Sequence, residues 1–414
     1  MNVASKNDVN INVPFLQMEI NGWSINYMSF IKPSNAYKTP IIILAGLFES
    51  FSDSLDEYSK LSEDNPLYIV HLPGFGDNSE VGAELTYSAY AMLVSAFMDN
   101  LGVGECVLMA NTYSANIAIC FSEHYEDRLL EAIFVAPVVK IRDSVEYILN
   151  ENLKSLENGD TKAFAARQTI HFIPTFSESF SGKRKEIVKD YYLALLRSDK
   201  NDFEKYFAHI KRLKNASKNK DVTKGIKSCP VIVIAGACDL LTTPQESFDF
   251  SNACSNSKFV MIEDTDHLML REKKAVLFRL FKRILEKKPI KRMRDVKLIE
   301  TSTLDRKFVR VTSRHEVKER GHIECLNGVI IPIEIDNLSQ FGCKFTVDDS
   351  ESIKFLNMNL VGCKLHLDFV DLKLGLGVFE MTGTDEFRGI FSHESFNAHE
   401  KLQSYLYKFS GQDI

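Results

Sequence analysis

Cys106-Val107-Leu108-Met109-Ala110-Asn111-Thr112-Tyr113-Ser114 decides the fold of the larger part of this chain. Its first five residues are apolar without alternation, the pattern of a strand covered on both faces, and the run stops abruptly at Asn111. The same texture recurs at Ile41 to Ala45, Leu67 to His71, Ala132 to Ala136, Val231 to Ala235 and Phe259 to Ile262, with helix-period segments between them. Six such strands joined by helices predict a doubly wound parallel α/β domain.

Working outward, Gln17 to Ile20 and Trp23 to Met28 flank Asn21-Gly22, which signals a hairpin. From residue 143 to about 227 the strand signal disappears and charged segments with helical spacing take over, among them Lys183 to Ser198 and Asp202 to Leu213. Inserted between two strands of a parallel sheet, this block is expected to sit above their carboxyl ends as a helical cap. A helix from Lys273 to Lys287 closes the domain. Lys287-Lys288-Pro289-Ile290-Lys291-Arg292-Met293-Arg294 is basic and broken by proline, as an interdomain linker would be.

Past Val296 the texture is all-β, with strand-like runs at Phe308 to Val317, Val329 to Ile335, Cys343 to Val347, Leu365 to Leu374, Val378 to Met381 and Phe387 to Phe391. An amphipathic helix from about Phe396 to Phe409 would plug one end of a barrel. The expected division is an α/β domain over 1–286 with its cap at about 143–227, a basic linker over 287–299, and an all-β domain over 300–414.

Composition bounds the function. At 414 residues the chain holds two or three domains, and 45% apolar with 26% charged residues is the balance of a soluble globular protein. A net charge of -6 gives no general attraction for DNA, RNA or anionic lipid, so any nucleotide site must be local. The eight cysteines form no Cys-x-x-Cys pair and mostly lie in apolar runs, which reads as small core residues in a reducing compartment. No apolar stretch approaches the roughly 18 residues of a membrane span, and the expected location is the cytoplasm.

Residues 40–286 resemble the α/β-hydrolase family over nearly their whole length. Gly46 and Leu47 follow the third strand where that family places half of its oxyanion hole, and Leu72-Pro73-Gly74-Phe75-Gly76 matches its next strand-end loop. Val107 to Ile119 falls in register with the nucleophile elbow, a strand-to-helix turn so sharp that small residues must flank the nucleophile. In that register Ala110-Asn111-Thr112-Tyr113-Ser114 puts Thr112 at the nucleophile position, with the Leu47 and Tyr113 amides facing the oxyanion. Gly236-Ala237-Cys238-Asp239-Leu240-Leu241-Thr242-Thr243-Pro244 matches the acid loop, and Asp266-His267 follows where the base belongs. The resemblance thus makes Thr112, Asp239 and His267 the catalytic candidates in the order nucleophile, acid, base.

Three positions depart from the family. Thr112 replaces serine, Ala45 replaces the usual histidine, and His71 replaces the usual aspartate. A β-branched residue in a strained turn is expected to clash or to turn its hydroxyl away from His267. Loss of a working nucleophile costs on the order of a million-fold in turnover. The favoured expectation is a pseudoenzyme that holds a small molecule or a protein. Thr112 as the nucleophile of an active esterase or thioesterase is the rival, and Ser114 in a shifted register is a further alternative. His267 as a plain structural histidine and Asp239 as a loop cap are the bland readings.

Arg306-Lys307-Phe308-Val309-Arg310 and Asn337-Leu338-Ser339-Gln340-Phe341-Gly342 carry the rest. Two arginines four apart clamp phosphate and stack on flat bases, while an Asn-x-Ser-x-x-Gly turn holds a purine edge, which suits a compact anionic dinucleotide. Arg310 with Arg314 makes a second frame of the same spacing. Together with Phe387-Arg388-Gly389-Ile390-Phe391 before the final helix, these elements resemble the PilZ domain over roughly residues 300–412. That resemblance implies an all-β barrel binding cyclic di-GMP, with Arg306 and Arg310 on phosphate and guanine, Asn337 and Ser339 on the base edge, and Gly342 permitting close approach. It also implies a bacterial effector acting on motility, adhesion or biofilm. The expected ligand is cyclic di-GMP, with no cofactor, no metal and no DNA or RNA partner.

Overall fold

The computed structural model describes residues 15–50, 55–173, 182–218, 225–291, 293–300, 304, 314–347, 349, 351–353, 356, 363–381 and 385–410. The α/β part carries β1 (Phe15–Ile20), β2 (Trp23–Phe30), β3 (Ile41–Leu44), α1 (Leu55–Leu61), β4 (Leu67–His71), α2 (Tyr87–Asn100), β5 (Cys106–Asn111), α3 (Ala115–His124) and β6 (Leu129–Val135). Four helices follow before the next strand: α4 (Asp143–Glu157), α5 (Thr161–Phe172), α6 (Gly182–Arg197) and α7 (Lys200–Lys218). The sheet then resumes with β7 (Pro230–Gly236), α8 (Pro244–Ala253), β8 (Asn256–Ile262), α9 (Met269–Glu272), α10 (Lys274–Leu285) and β9 (Val296–Ile299).

All six apolar runs are strands, and they pair in parallel within one nine-stranded sheet of order β1-β2-β4-β3-β5-β6-β7-β8-β9. The alternation of side chains along a strand explains why the runs are apolar throughout. Ile41 and Ile43 join Ile69, Met109 and Ile133 under α1 and α10, whereas Ile42 and Leu44 join Val70, Leu108 and Ala110 under α2, α3 and α8. Each face has its own core.

Antiparallel strands extend the sheet at both edges. The β1–β2 hairpin turns at Asn21 and Gly22, both with positive φ, and pairs onto β4. At the other edge β9 pairs with β8, Phe259 to Ile299 through Ile262 to Val296. The stretch read as a linker over 287–299 therefore ends in a strand of this sheet. Its proline and basic residues obscured a short, partly buried strand, Val296-Lys297-Leu298-Ile299.

The second part is a closed antiparallel barrel of order β10-β11-β12-β15-β14-β13. Its strands are β10 (His315–Glu324), β11 (Ile330–Ser339), β12 (Gly342–Thr346), β13 (Cys363–Leu367), β14 (Leu372–Met381) and β15 (Glu386–Ser392), and α11 (Phe396–Ser410) follows. Leu402, Tyr405 and Leu406 of α11 enter the barrel core, so the helix closes an end as expected. Two strand readings change. Leu365 to Leu374 is not one strand, because a 3-10 turn at Asp368–Val370 and a left-handed Asp371 divide it into β13 and β14. Of the run at 308–317, residues 308–313 lie outside the described residues, Arg314 precedes the strand, and residues 315–317 open the longer β10.

Among the described residues no helix is long and apolar enough to cross a membrane, and no cluster of His, Cys, Asp and Glu is arranged to hold a metal ion.

Candidate active site

The acid and base sit on loops that leave the carboxyl ends of β7 and β8, tied together by a hydrogen bond from Cys238 N to Thr265 O at 3.0 Å. Asp239 Oδ1 accepts from the amides of Leu241 and Thr242 at 2.8 and 3.0 Å. Its Oδ2 accepts from Thr242 Oγ1 at 2.8 Å and from His267 Nδ1 at 2.8 Å. With four donors on the carboxylate, the imidazole proton is held at Nδ1, and Nε2 is left as the basic atom. That nitrogen is buried and makes no hydrogen bond. Phe172 meets the His267 ring edge-on, centroids 5.0 Å apart, and its carbonyl accepts the His267 amide at 3.3 Å.

The nucleophile position is built differently. Thr112 directly follows β5 at φ 48°, the left-handed region that a β-branched residue enters only under constraint. The elbow geometry is present, and a threonine bears its strain. Since His267 Nε2 bonds to nothing, the Thr112 hydroxyl is not engaged by the base. Ser114 is buried, its Oγ accepting the Asn111 amide at 2.9 Å and lying 3.1 Å from Leu44 O, and it does not line the cavity.

A residue the sequence did not single out completes this half. The Glu49 carboxylate accepts from Gly46 N at 2.8 Å and from Asn111 Nδ2 at 3.1 Å. A Cβ placed on Gly46 would lie 3.0 Å from Thr112 Oγ1 and 3.1 Å from Glu49 Oε1, so hydroxyl and carboxylate crowd the same point. Oxyanion sites work by aiming donors at developing negative charge, and a fixed carboxylate there acts in the opposite sense. No local pattern marks Glu49, because its position depends on how the loop after β3 folds back toward β5.

These groups line a cavity of about 250 Å³ whose walls include Leu47, Phe48, Tyr113, Val135, Phe172 and Tyr191. Asp190, Arg271 and Lys274 also contribute to its lining. Leu47 and Tyr113, expected to supply oxyanion amides, thus line the same cavity as Thr112. A largely apolar cleft with a few polar groups suits one small molecule. His71 lines it too. Burial, reinforced by the Lys205 charge, pushes its pKa down to about 3, and as a neutral ring its Nδ1 accepts the Asp77 amide at 2.7 Å. The departure from the family's aspartate therefore serves to hold the following loop.

In the barrel, Arg306 and Arg310 lie outside the described residues. Arg314 is exposed just before β10. Asn337, Ser339 and Gly342 come together at the β11–β12 hairpin, where Asn337 is half-buried and Ser339 Oγ donates to Gly342 O at 3.0 Å. A Cβ on Gly342 would lie 2.4 Å from Gly389 O, so this glycine is required by the contact between β12 and β15.

The hairpin turn does not face open solvent alone. Phe341 packs on His171 of the cap, ring centroids 5.5 Å apart, and Tyr147 of α4 packs on Phe379 of β14 at 5.6 Å. Arg167, His171 and Tyr147 were not singled out from the sequence. One signal was available: Gly377 lies inside a strand, where a Cβ would come 2.8 Å from Tyr147 Cδ1, and a strand glycine commonly marks close approach by a neighbour.

A family model described as alpha/beta hydrolase fold matches residues 39–274, more than half of the chain. No curated protein was found to match. Among solved structures, an alpha/beta hydrolase enzyme from a Medee basin deep-sea metagenome library is similar at 19% identity and a TM-score of 0.57, covering 66% of this chain and 98% of its own. The enol-lactonase from Burkholderia xenovorans LB400 is similar at 16% identity and 0.55, covering 66% and 100%. A thermophilic esterase from Thermogutta terrifontis is similar at 18% and 0.53, covering 66% and 97%. At these identities the likeness concerns the fold.

Proposed function

From a chain that belongs to the alpha/beta hydrolase fold family, we infer a cyclic di-GMP receptor and effector. In this reading a C-terminal PilZ domain senses the nucleotide and regulates a hydrolase-like domain whose chemistry is impaired. The observation that carries the impaired chemistry is the divided state of the cavity: a strained Thr112 that shares the space above Gly46 with the Glu49 carboxylate, with His267 Nε2 engaging neither. A domain that keeps a shaped apolar cleft and opposes an oxyanion there is suited to hold a ligand or partner rather than to turn one over. Regulation then comes from the barrel, where the six antiparallel strands, the closing helix and the Asn337, Ser339, Gly342 hairpin support the PilZ resemblance.

The second reading is an esterase or thioesterase that uses Thr112 under nucleotide control. It draws on the Asp239–His267 pair, whose 2.8 Å hydrogen bond leaves a basic nitrogen in the cavity. Acyl-ester turnover by the native protein that disappears in His267→Ala would establish this reading over the first.

Calorimetric titration of the full chain with cyclic di-GMP tests the sensor. Charge-assisted hydrogen bonds contribute roughly 1.5–3 kcal/mol, so Arg310→Ala is expected to weaken binding about ten-fold or more. Absence of binding heat for the native protein at micromolar concentrations ends the sensor reading.

A further inference from the structure

Helix α5 touches both functional regions. Every residue from Ala163 to Phe172 is buried, which an amphipathic surface helix would not show. It is enclosed because the barrel lies on one side of it and the hydrolase-like cavity on another.

Arg167, 1% exposed, anchors the barrel side. Its Nε donates to Ser392 Oγ at the end of β15, 2.7 Å away. Its Nη1 donates to Glu151 O, Asn152 Oδ1 and Ser155 Oγ of α4 at 3.0, 3.2 and 3.0 Å. Four residues on, and so on the same helix face, His171 meets Phe341 at 5.5 Å and His393 at 6.1 Å between ring centroids. Phe172 comes next, about 100° further round the helix, and it is the residue that holds His267 by ring and carbonyl.

The barrel side of this contact is tied to the rest of the barrel. Gln340 Nε2 donates to His399 O at 2.7 Å, and Gln340 O accepts from His393 Nε2 at 2.7 Å. The turn carrying Phe341 is thus tied to α11 and to the end of β15. Burial holds both histidines neutral, pushing His171 well below its ordinary value and His393 down to about 4. Around neutral pH the contact transmits position and not charge.

We propose that Phe172 is a positioning residue for His267 and that the barrel sets its position through α5. Displacement of the 337–342 turn presses Phe341 on His171, α5 shifts as a unit, and the Phe172 ring and carbonyl carry the imidazole with them. Helix shifts of about 1–2 Å are the usual scale of such transitions. The proposal rests on the sensor reading only for the identity of the trigger.

The test uses the full chain carrying Thr112→Ser, read by the ring NMR signals of His267 and by the rate at which a fluorophosphonate labels the new serine. Phe341→Leu and Ser392→Ala are expected to move the His267 signals and change the labelling rate by about two-fold or more, as interdomain couplings commonly do. Ile330→Ser, at the opposite end of β11 and 62% exposed, is expected to leave both unchanged. Phe172→Leu should move the same signals directly. If Phe341→Leu and Ser392→Ala both leave His267 where it was, the proposal is overturned.

Cyclic di-GMP is then added to the same protein. Displacement of the His267 signals on binding supports the coupling. Binding heat with unmoved signals overturns it while the sensor reading stands. Absence of heat removes the sensor reading, and the role of α5 is then decided by the substitutions alone.

Discussion

Asp239 and His267, on the loops after β7 and β8, meet as an acid–base pair should, whereas Thr112, on the turn after β5, is strained and shares the space above Gly46 with Glu49. The difference lies in what else each group supports. Asp239 gathers four donors, two of them backbone amides, so removing it would orphan buried groups whether or not any chemistry occurs. Thr112 contributes strain and no hydrogen bond to the base. A site of this kind can therefore keep its Asp–His pair for the sake of the fold whether or not a nucleophile works beside it. A persistent Asp–His pair is weak evidence of turnover.

The largest expected effect sharpens this contrast. If the acid–base half is functional once given a nucleophile, Thr112→Ser will react with a fluorophosphonate, and adding His267→Ala will slow that reaction by about 10²–10⁴-fold, the usual contribution of a general base. Equal labelling with and without His267 would break the comparison by showing that the pair is not poised for chemistry.

Stability provides the next contrast. Asp239→Ala should lower the unfolding free energy by at least about 1–3 kcal/mol through unpaired buried donors. Thr112→Gly should raise it by about 1 kcal/mol, because glycine enters the left-handed region without the cost a side chain carries there. Denaturant unfolding reads both, and a destabilised Thr112→Gly would show that the elbow is not strained.

The smallest effect concerns Glu49. A like charge within about 4–6 Å disfavours a developing anion, so Glu49→Gln in the Thr112→Ser background should speed fluorophosphonate labelling by about two-fold or more. Unchanged labelling would mean that the carboxylate does not oppose the oxyanion.

Much of this molecule was legible in advance. Strands buried on both faces announce themselves as local apolar runs, and Asp239 and His267 stand at fixed offsets from strand ends, so the sheet and the pair could be read directly. The division of Leu365 to Leu374 was missed because leucines on both sides masked the Asp368–Asp371 turn, although paired aspartates tolerate such geometry well. Strand β9 was missed because pairing with β8, and not its own composition, makes it a strand. Glu49, Arg167 and Phe172 were illegible for one reason: each acts on a partner far away in the chain.

The amino-acid order alone determined that a parallel sheet precedes a β-rich part, and that threonine occupies the elbow, since these depend on periodicity and on residue identity at known spacings. Only the tertiary structure decided that Glu49 bonds Asn111 beside the elbow, that the barrel is packed on the cap, and that α5 spans from Phe341 to His267. Those outcomes require segments far apart in the chain to meet, and hydrophobic packing is non-directional until the whole core has assembled.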